Sequence, residues 1–329
     1  MIRRRPLLFV LVLSIAVSIL AAAAAIAANR NPAPTKGSLR FDKATLSQTR
    51  AACGARAGAK GHVKRVIWVW MENHSAGTVL DPKASPYLSK LARACGVTTD
   101  SHNITHPSLP NYIAATSGGT QGITDDCGPD DCPVSAPSLF GQISAAGKTW
   151  RSYQESMPEP CGHANAGRYA PKHNPAVYYD DARARCGSWD VSLDALTSDL
   201  ARHALPDFAF VTPDLCSDTH DCPVGTGDDW LSRFVPRLTG TAAYRRGEVA
   251  LIVTWDEGEG GGSIDCLAHV KDRGCQIATV VASARTRPGT VDRERLSHYS
   301  LLRTTEELLG LPKLGRAKSA HSMRAAFGL

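Results

Sequence analysis

From Val63 to Trp70 the chain is dominated by β-branched and aromatic residues, and Glu72-Asn73-His74-Ser75 follows at once. Strand-like runs, most of them with a polar exit, return at Val97–Ile104, Lys148–Tyr153, Asp207–Thr212, Glu248–Trp255 and Gln276–Ser283. Runs of this length and composition predict strands covered on both faces. Amphipathic stretches stand between them. One opens at Ser85-Pro86 and stops at Gly96, a second spans Ser138–Ala146 and is closed by Gly147, and a third covers Leu193–Ala204. Two more cover Gly227–Leu238, opened by Thr226, and Ser297–Leu309, ended by Gly310 and Pro312. Serine or threonine at the start, proline in the first turn and glycine past the end are helix boundaries. Strands alternating with helices predict one α/β domain, a mainly parallel sheet sandwiched by helices. The segment Asp125–Asp190 has weak periodicity and four cysteines. It reads as a disulfide-held insertion or lid, or as core that the pattern fails to resolve.

The N-terminus lies outside this grammar. Met1-Ile2-Arg3-Arg4-Arg5 precedes an apolar run from Leu7 to Ala28 that ends Ala25-Ile26-Ala27-Ala28. This is the form of a cleaved export signal over residues 1–28; the alternative is an uncleaved anchor, weakened by its many alanines. Residues 29–61 are rich in Ala, Gly, Pro, Lys and Arg and read as a linker or arm, with a catalytic domain expected over 62–329. The signal carries three arginines and no acid, so its removal takes the formal charge from +6 to +3. That remainder supports no nucleic-acid partner. The oligomeric state has no sequence marker.

All ten cysteines follow the signal, and an even count in an exported chain implies disulfides. The natural local pairs are Cys127–Cys132, Cys161–Cys186, Cys216–Cys222 and Cys266–Cys275, which leaves Cys53 with Cys95. No C-x-x-C pair is present for a structural zinc.

One corner is unusually stiff. In Thr105-His106-Pro107-Ser108-Leu109-Pro110-Asn111-Tyr112, two prolines flank a single serine between the expected strand Val97–Ile104 and a helix-like run Asn111–Thr116. Ser108 is either a helix N-cap or a nucleophile held beside helix N–H groups. Polar residues at the other strand ends bear on that choice, because ligands of open α/β sheets sit beyond the carboxyl ends of the strands. They are Glu72 and Asn73, His106 and Ser108, Asp214, Asp218 and His220 with Asp221, Asp256 and Glu257, and His298 at the last helix. Taken singly each has an ordinary structural role. Together they gather oxygen and imidazole donors with one hydroxyl, a set suited to a divalent cation between carboxylates and a phosphate. There is no G-x-S-x-G, no H-E-x-x-H, no P-loop and no dinucleotide fingerprint.

The ordered set Glu72-Asn73-His74-Ser75, His106-Pro107-Ser108-Leu109-Pro110-Asn111-Tyr112, Lys172-His173-Asn174-Pro175, Asp218-Thr219-His220-Asp221, Thr254-Trp255-Asp256-Glu257 and His298-Tyr299-Ser300-Leu301-Leu302 resembles a known family. It is the bacterial and fungal phosphoesterase family of acid phosphatases and phospholipases C, within the alkaline phosphatase superfamily. The compact length and the Thr105–Thr124 stretch are most similar to secreted mycobacterial members acting on phosphatidylinositol 3-phosphate. Ser108-Leu109-Pro110-Asn111 is also similar to the segment around the nucleophilic threonine of nucleotide pyrophosphatases, which singles out Ser108.

The resemblance implies an alkaline phosphatase-like fold and a secreted phosphatase acting through a phosphoserine. It implies a metal site from Asn73, Ser108, Asp256 and Glu257, with Glu72 beside it and Asp218 added. His173 and His220 would contact phosphoryl oxygens, one of them protonating the leaving alkoxide. Lys172, Asn111 and His298 would face substrate, and His106 would either face it or brace the turn. Where two-zinc members of the superfamily place aspartate and histidine, this chain has Asp256-Glu257. The harder oxygen set argues for one ion, with calcium or magnesium ahead of zinc. A phosphate ester, with a phosphoinositide lipid among the candidates, is the expected substrate. The rivals are a phospholipase C-type diesterase, a metal-independent serine hydrolase, and a non-catalytic disulfide-rich binding domain.

Overall fold

The computed structural model describes residues 53–260 and 264–329; the expected export signal, most of the expected arm and the end of the Gly258–Gly262 loop lie outside them. Among the described residues no helix is long and apolar enough to cross a membrane.

The strands are β1 (Arg65–Met71), β2 (Gly96–Thr98), β3 (Ser101–His102), β4 (Trp150–Gln154), β5 (Asp190–Ser192), β6 (Phe208–Thr212), β7 (Val249–Trp255), β8 (Gln276–Ile277), β9 (Thr279–Ala282), β10 (Thr290–Asp292) and β11 (Leu296–Ser297). Eight form one sheet in the order β10-β2-β9-β7-β1-β6-β4-β5, in which only β9 runs antiparallel to its neighbours. The other three form a small sheet in the order β11-β3-β8. The two longest strands, β1 and β7, are paired along their whole length from Arg65↔Val249 to Met71↔Trp255, and β7 is buried at every residue. Continuous apolar runs therefore mark the centre of a parallel sheet covered on both sides.

Each face carries its own helices. Val66, Trp68 and Trp70 share a core with Leu109, Tyr112 and Ile113 of the helix Ser108–Ser117, with Leu139, Phe140 and Ile143, and with Leu301 and Leu302 of the helix His298–Leu309. The intervening Ile67, Val69 and Met71 are as deeply buried on the other face. There Met71 reaches Gly227 of the helix Val224–Thr239, where an added Cβ would clash with it. Asp228 on that helix accepts hydrogen bonds from Tyr87 N and Leu88 N at 2.9 and 2.8 Å, which ties it to the helix Pro86–Ala94.

Several expectations are corrected. The run Val97–Ile104 is not one strand: polar Thr99-Asp100 ends β2 and sends β3 into the small sheet. Gln276–Ser283 divides in the same way into β8 and β9. The helix expected over Asn111–Thr116 begins at Ser108, because Pro110 falls in the first turn, where a backbone N–H has no partner in the helix anyway. The helices Leu193–Ala204 and Gly227–Leu238 become Ala195–Ala201 and Val224–Thr239. Of Asp125–Asp190, the helix Leu139–Ala145 and β4 belong to the core, and the disulfide-closed loops around them form the insertion. The domain also starts ahead of His62: Cys53 is bonded to Cys95, and Arg56 N donates to Ala284 O at 2.7 Å. All five disulfides join the pairs expected from spacing.

Candidate active site

The register of β1 and β7 builds the site. With Met71 opposite Trp255, the residues that follow, Glu72 and Asp256, leave the sheet side by side. Asn73 takes a positive φ of 58°, a conformation that asparagine tolerates, and its N–H donates to Asp256 Oδ1 at 2.9 Å. Glu72 N donates to Asp218 O at 2.9 Å, which draws the loop after β6 to the same edge.

The helix Ser108–Ser117 brings the nucleophile candidate. Ser108 Oγ donates to Glu72 Oε2 at 3.1 Å, and one turn on Tyr112 donates its hydroxyl to Glu72 Oε1. The Tyr112 ring stacks on His173, with centroids 5.5 Å apart. His173 lies between two acids, Nε2 at 3.4 Å from Glu72 Oε1 and Nδ1 at 3.3 Å from Asp218 Oδ2. Asp218 Oδ1 accepts His220 N at 2.7 Å. His220 Nδ1 faces Asp221 Oδ1 at 2.7 Å, and Lys172 Nζ donates to His220 Nε2 at 3.3 Å. Glu72, Asn73, Ser108, Lys172, His173, Asp218, His220, Asp256 and Glu257 thus cluster at one edge of the sheet.

Two residues expected to face substrate, Asn111 and His298, have their polar atoms engaged within the fold. Asn111 is fully buried: its Oδ1 accepts from Ile104 N and Thr105 N, and its Nδ2 donates to Thr105 O, Pro107 O and Glu257 Oε2. His298 packs on Trp70 and its Nε2 meets the Asp256 carbonyl at 2.6 Å, so it positions Asp256. His106 Nδ1 lies 3.0 Å from Glu257 Oε2, a contact in keeping with the bracing reading. Tyr112 and Asp126 were not singled out in the sequence. Tyr112 follows Ser108 by four residues, a helical spacing that places both on one face. Asp126, which binds Leu109 N and Lys172 Nζ at 2.9 and 2.8 Å, carries no such signal.

The electrostatics test the site for a cation. Burial first, then the neighbouring Asp256 and Asp218, push Glu72 well above the usual carboxylate range. Burial with Asp256 nearby does the same to Asp218, and burial beside Glu257 lifts Asp256 to about 7. Burial raises Glu257 as well, against the opposing pull of His106. Burial, Lys172 and His220 push His173 down and hold it neutral. Asp256 Oδ2 and Asp218 Oδ2 are buried with no hydrogen-bond partner among the described residues. Four carboxylates in one pocket, two with an unmatched oxygen, fit a divalent cation held by oxygen donors.

Comparison with known proteins makes this chain a phosphoric ester hydrolase with an alkaline phosphatase-like fold. The Phosphoesterase family model matches residues 64–312, and the chain belongs to that family. It is 32% identical over 279 residues to a phosphatidylinositol-3-phosphatase of Mycobacterium tuberculosis, a match covering 84% of this chain and 86% of the relative. A phosphate-repressible acid phosphatase of Penicillium chrysogenum is 30% identical over 267 residues, covering 77% of this chain and 60% of the relative. Among solved structures, an alkaline phosphatase superfamily protein of Vibrio parahaemolyticus shares the fold, with a TM-score of 0.56 at 12% identity over 88% of this chain and 81% of the other.

Proposed function

We propose that the protein is a secreted, metal-dependent phosphomonoesterase that uses Ser108 as nucleophile and accepts phosphoinositide monoesters. The observation that carries this reading is Ser108 Oγ at a helix N-terminus, 3.1 Å from a buried Glu72 in a pocket of acids and histidines. Glu72, Asn73, Ser108, Asp256 and Glu257, with Asp218 adjoining, would hold the ion, which when bound supplies charge that favours the serine alkoxide and the phosphoryl oxygens. Ser108 releases its proton towards Glu72 and attacks phosphorus as the bond to the leaving oxygen breaks. Once Lys172 Nζ turns from His220 Nε2 to the phosphoryl oxygens, His220 as imidazolium, its Nδ1–H held by Asp221 Oδ1, gives the leaving alkoxide its Nε2 proton. Lys172 and the helix N-terminus meet the equatorial charge, and water then hydrolyses the phosphoserine. Similarity along most of the Mycobacterium tuberculosis relative supports the lipid substrate class, and five disulfides support passage through an oxidising compartment.

The test is Ser108→Ala, assayed on an aryl phosphate and on phosphatidylinositol 3-phosphate, with a parallel EDTA arm on the native chain. Turnover should fall by roughly 10³-fold or more, while unfolding moves by only about 1 kcal/mol for one lost hydrogen bond. EDTA should abolish turnover and a divalent ion restore it. Full activity in the variant would remove Ser108 from the mechanism, and indifference to chelation would remove the metal.

A further inference from the structure

We propose that Asp126 is a built-in competitor of the substrate's phosphoryl group, its carboxylate holding two donors that a phosphoryl oxygen needs. The inference rests on the phosphomonoesterase reading above. Asp126 Oδ1 accepts Leu109 N at 2.9 Å and Oδ2 accepts Lys172 Nζ at 2.8 Å. Leu109 N belongs to the residue after the nucleophile, in the first turn of a ten-residue helix whose dipole favours an anion. Lys172 Nζ also reaches His220 Nε2 at 3.3 Å. Beside His220 stands His173, whose Nε2 is buried without a hydrogen-bond partner and only 3.4 Å from Glu72 Oε1. A lysine, a helix N–H and an unmatched imidazole nitrogen therefore meet next to Ser108, and the anion that answers two of them comes from the chain itself.

The setting of Asp126 separates it from an ordinary cap. Asp228 also accepts two backbone N–H groups, but it is only 3% exposed and lies between two packed helices. The Asp126 side chain is 28% exposed and adjoins the short Cys127–Cys132 disulfide loop, so it can turn to solvent without opening the core. A singly charged carboxylate gives way to a doubly charged phosphoryl group at these donors, then returns as inorganic phosphate leaves. The consequence is a weaker hold on substrate and faster clearance of product.

The experiment measures inorganic phosphate binding to the full chain by calorimetry, and its inhibition constant against aryl phosphate hydrolysis. The proteins are wild type, Asp126→Asn, Asp126→Glu, Lys172→Met and the Asp126→Asn/Lys172→Met pair. Asparagine keeps an acceptor for Leu109 N and removes the charge, so phosphate should bind roughly fivefold tighter. Glutamate should give no tightening, and in the Lys172→Met background the asparagine effect should shrink below about twofold. Binding in Asp126→Asn that is equal to or weaker than wild type, or no measurable phosphate binding in either, would reduce Asp126 to a structural cap. A wild type that binds phosphate but hydrolyses no phosphate ester would instead overturn the proposed function, and the calorimetric comparison would still read Asp126.

Discussion

Asp190, at the head of β5, has no solvent exposure, and burial lifts its carboxyl from an ordinary 3.8 to about 7. Asn174 Nδ2 donates to its Oδ2 at 2.8 Å, while Oδ1 has no partner among the described residues. Asn174 directly follows His173 and also holds Ser152 and Tyr169, so this knot fixes the turn that carries a site histidine. The native state binds a proton here that the unfolded chain gives up, so the sign of the linkage is fixed. From about pH 4 to about pH 7 the unfolded chain binds fewer protons than the native one, and stability falls as pH rises. A shift of about three units amounts to about 4 kcal/mol, lost across that window and constant above it. Below pH 4 both states are protonated and the contribution is complete.

Asp190→Asn removes the titration and leaves a side chain of nearly the same shape. Any fixed cost of the new NH₂ group is equal at all pH values and cancels in the comparison. Urea unfolding of both proteins, with disulfides intact, should therefore show a stability difference that moves in the variant's favour by about 4 kcal/mol between pH 4 and pH 7.5. Parallel pH profiles would refute the reasoning and mean that Asp190 is ionised and paired in the native state.

Two further outcomes follow from contacts already described. Tyr112→Phe deletes the donor to Glu72 Oε1 and leaves the ring on His173, so the divalent-ion concentration giving half-maximal activity should rise roughly tenfold or more; an unchanged metal titration would show that Glu72 needs no such orientation. Replacing Cys53 and Cys95 with serine opens a bridge between residues 42 apart, which should cost about 4 kcal/mol in denaturant unfolding and release the segment that Arg56 ties to Ala284.

Hydrophobic pattern carries the central strands because their sequences answer to one environment. Val249–Trp255 is buried on both faces, and no other strand among the described residues gives seven such residues in a row. The pattern fails at Val97–Ile104 and Gln276–Ser283 because each run is buried on both sides of a sharp change of sheet. What divides them is pairing between β3 and β8, residues some 170 positions apart, as in Ser101↔Ile277. The site is legible for a different reason. Strand ends locate Glu72, Asn73, Asp256 and Glu257 without knowledge of their partners, since a parallel sheet puts its carboxyl ends on one edge. Motif order cannot say which atom of a side chain faces the ligand. Asn111 and His298 occupy motif positions, yet their polar atoms are engaged by Ile104, Thr105 and the Asp256 carbonyl.

The arrangement of acids also explains why the two central strands are the longest. Glu72, Asp218 and Asp256 are each fully buried within one pocket, a placement that by itself works against folding. Two of them leave directly from the ends of β1 and β7, which are paired over seven residues and flanked by Trp68, Trp70 and Phe210 in mutual contact. Trp68 Nε1 is in turn fixed to Thr305 Oγ1 at 3.0 Å. A strand pair this well anchored can hold the acids together until a cation joins them, where a loop would splay. Buried acids with unpartnered oxygens stand at these strand ends, and the most extensively paired part of the sheet is what holds them there.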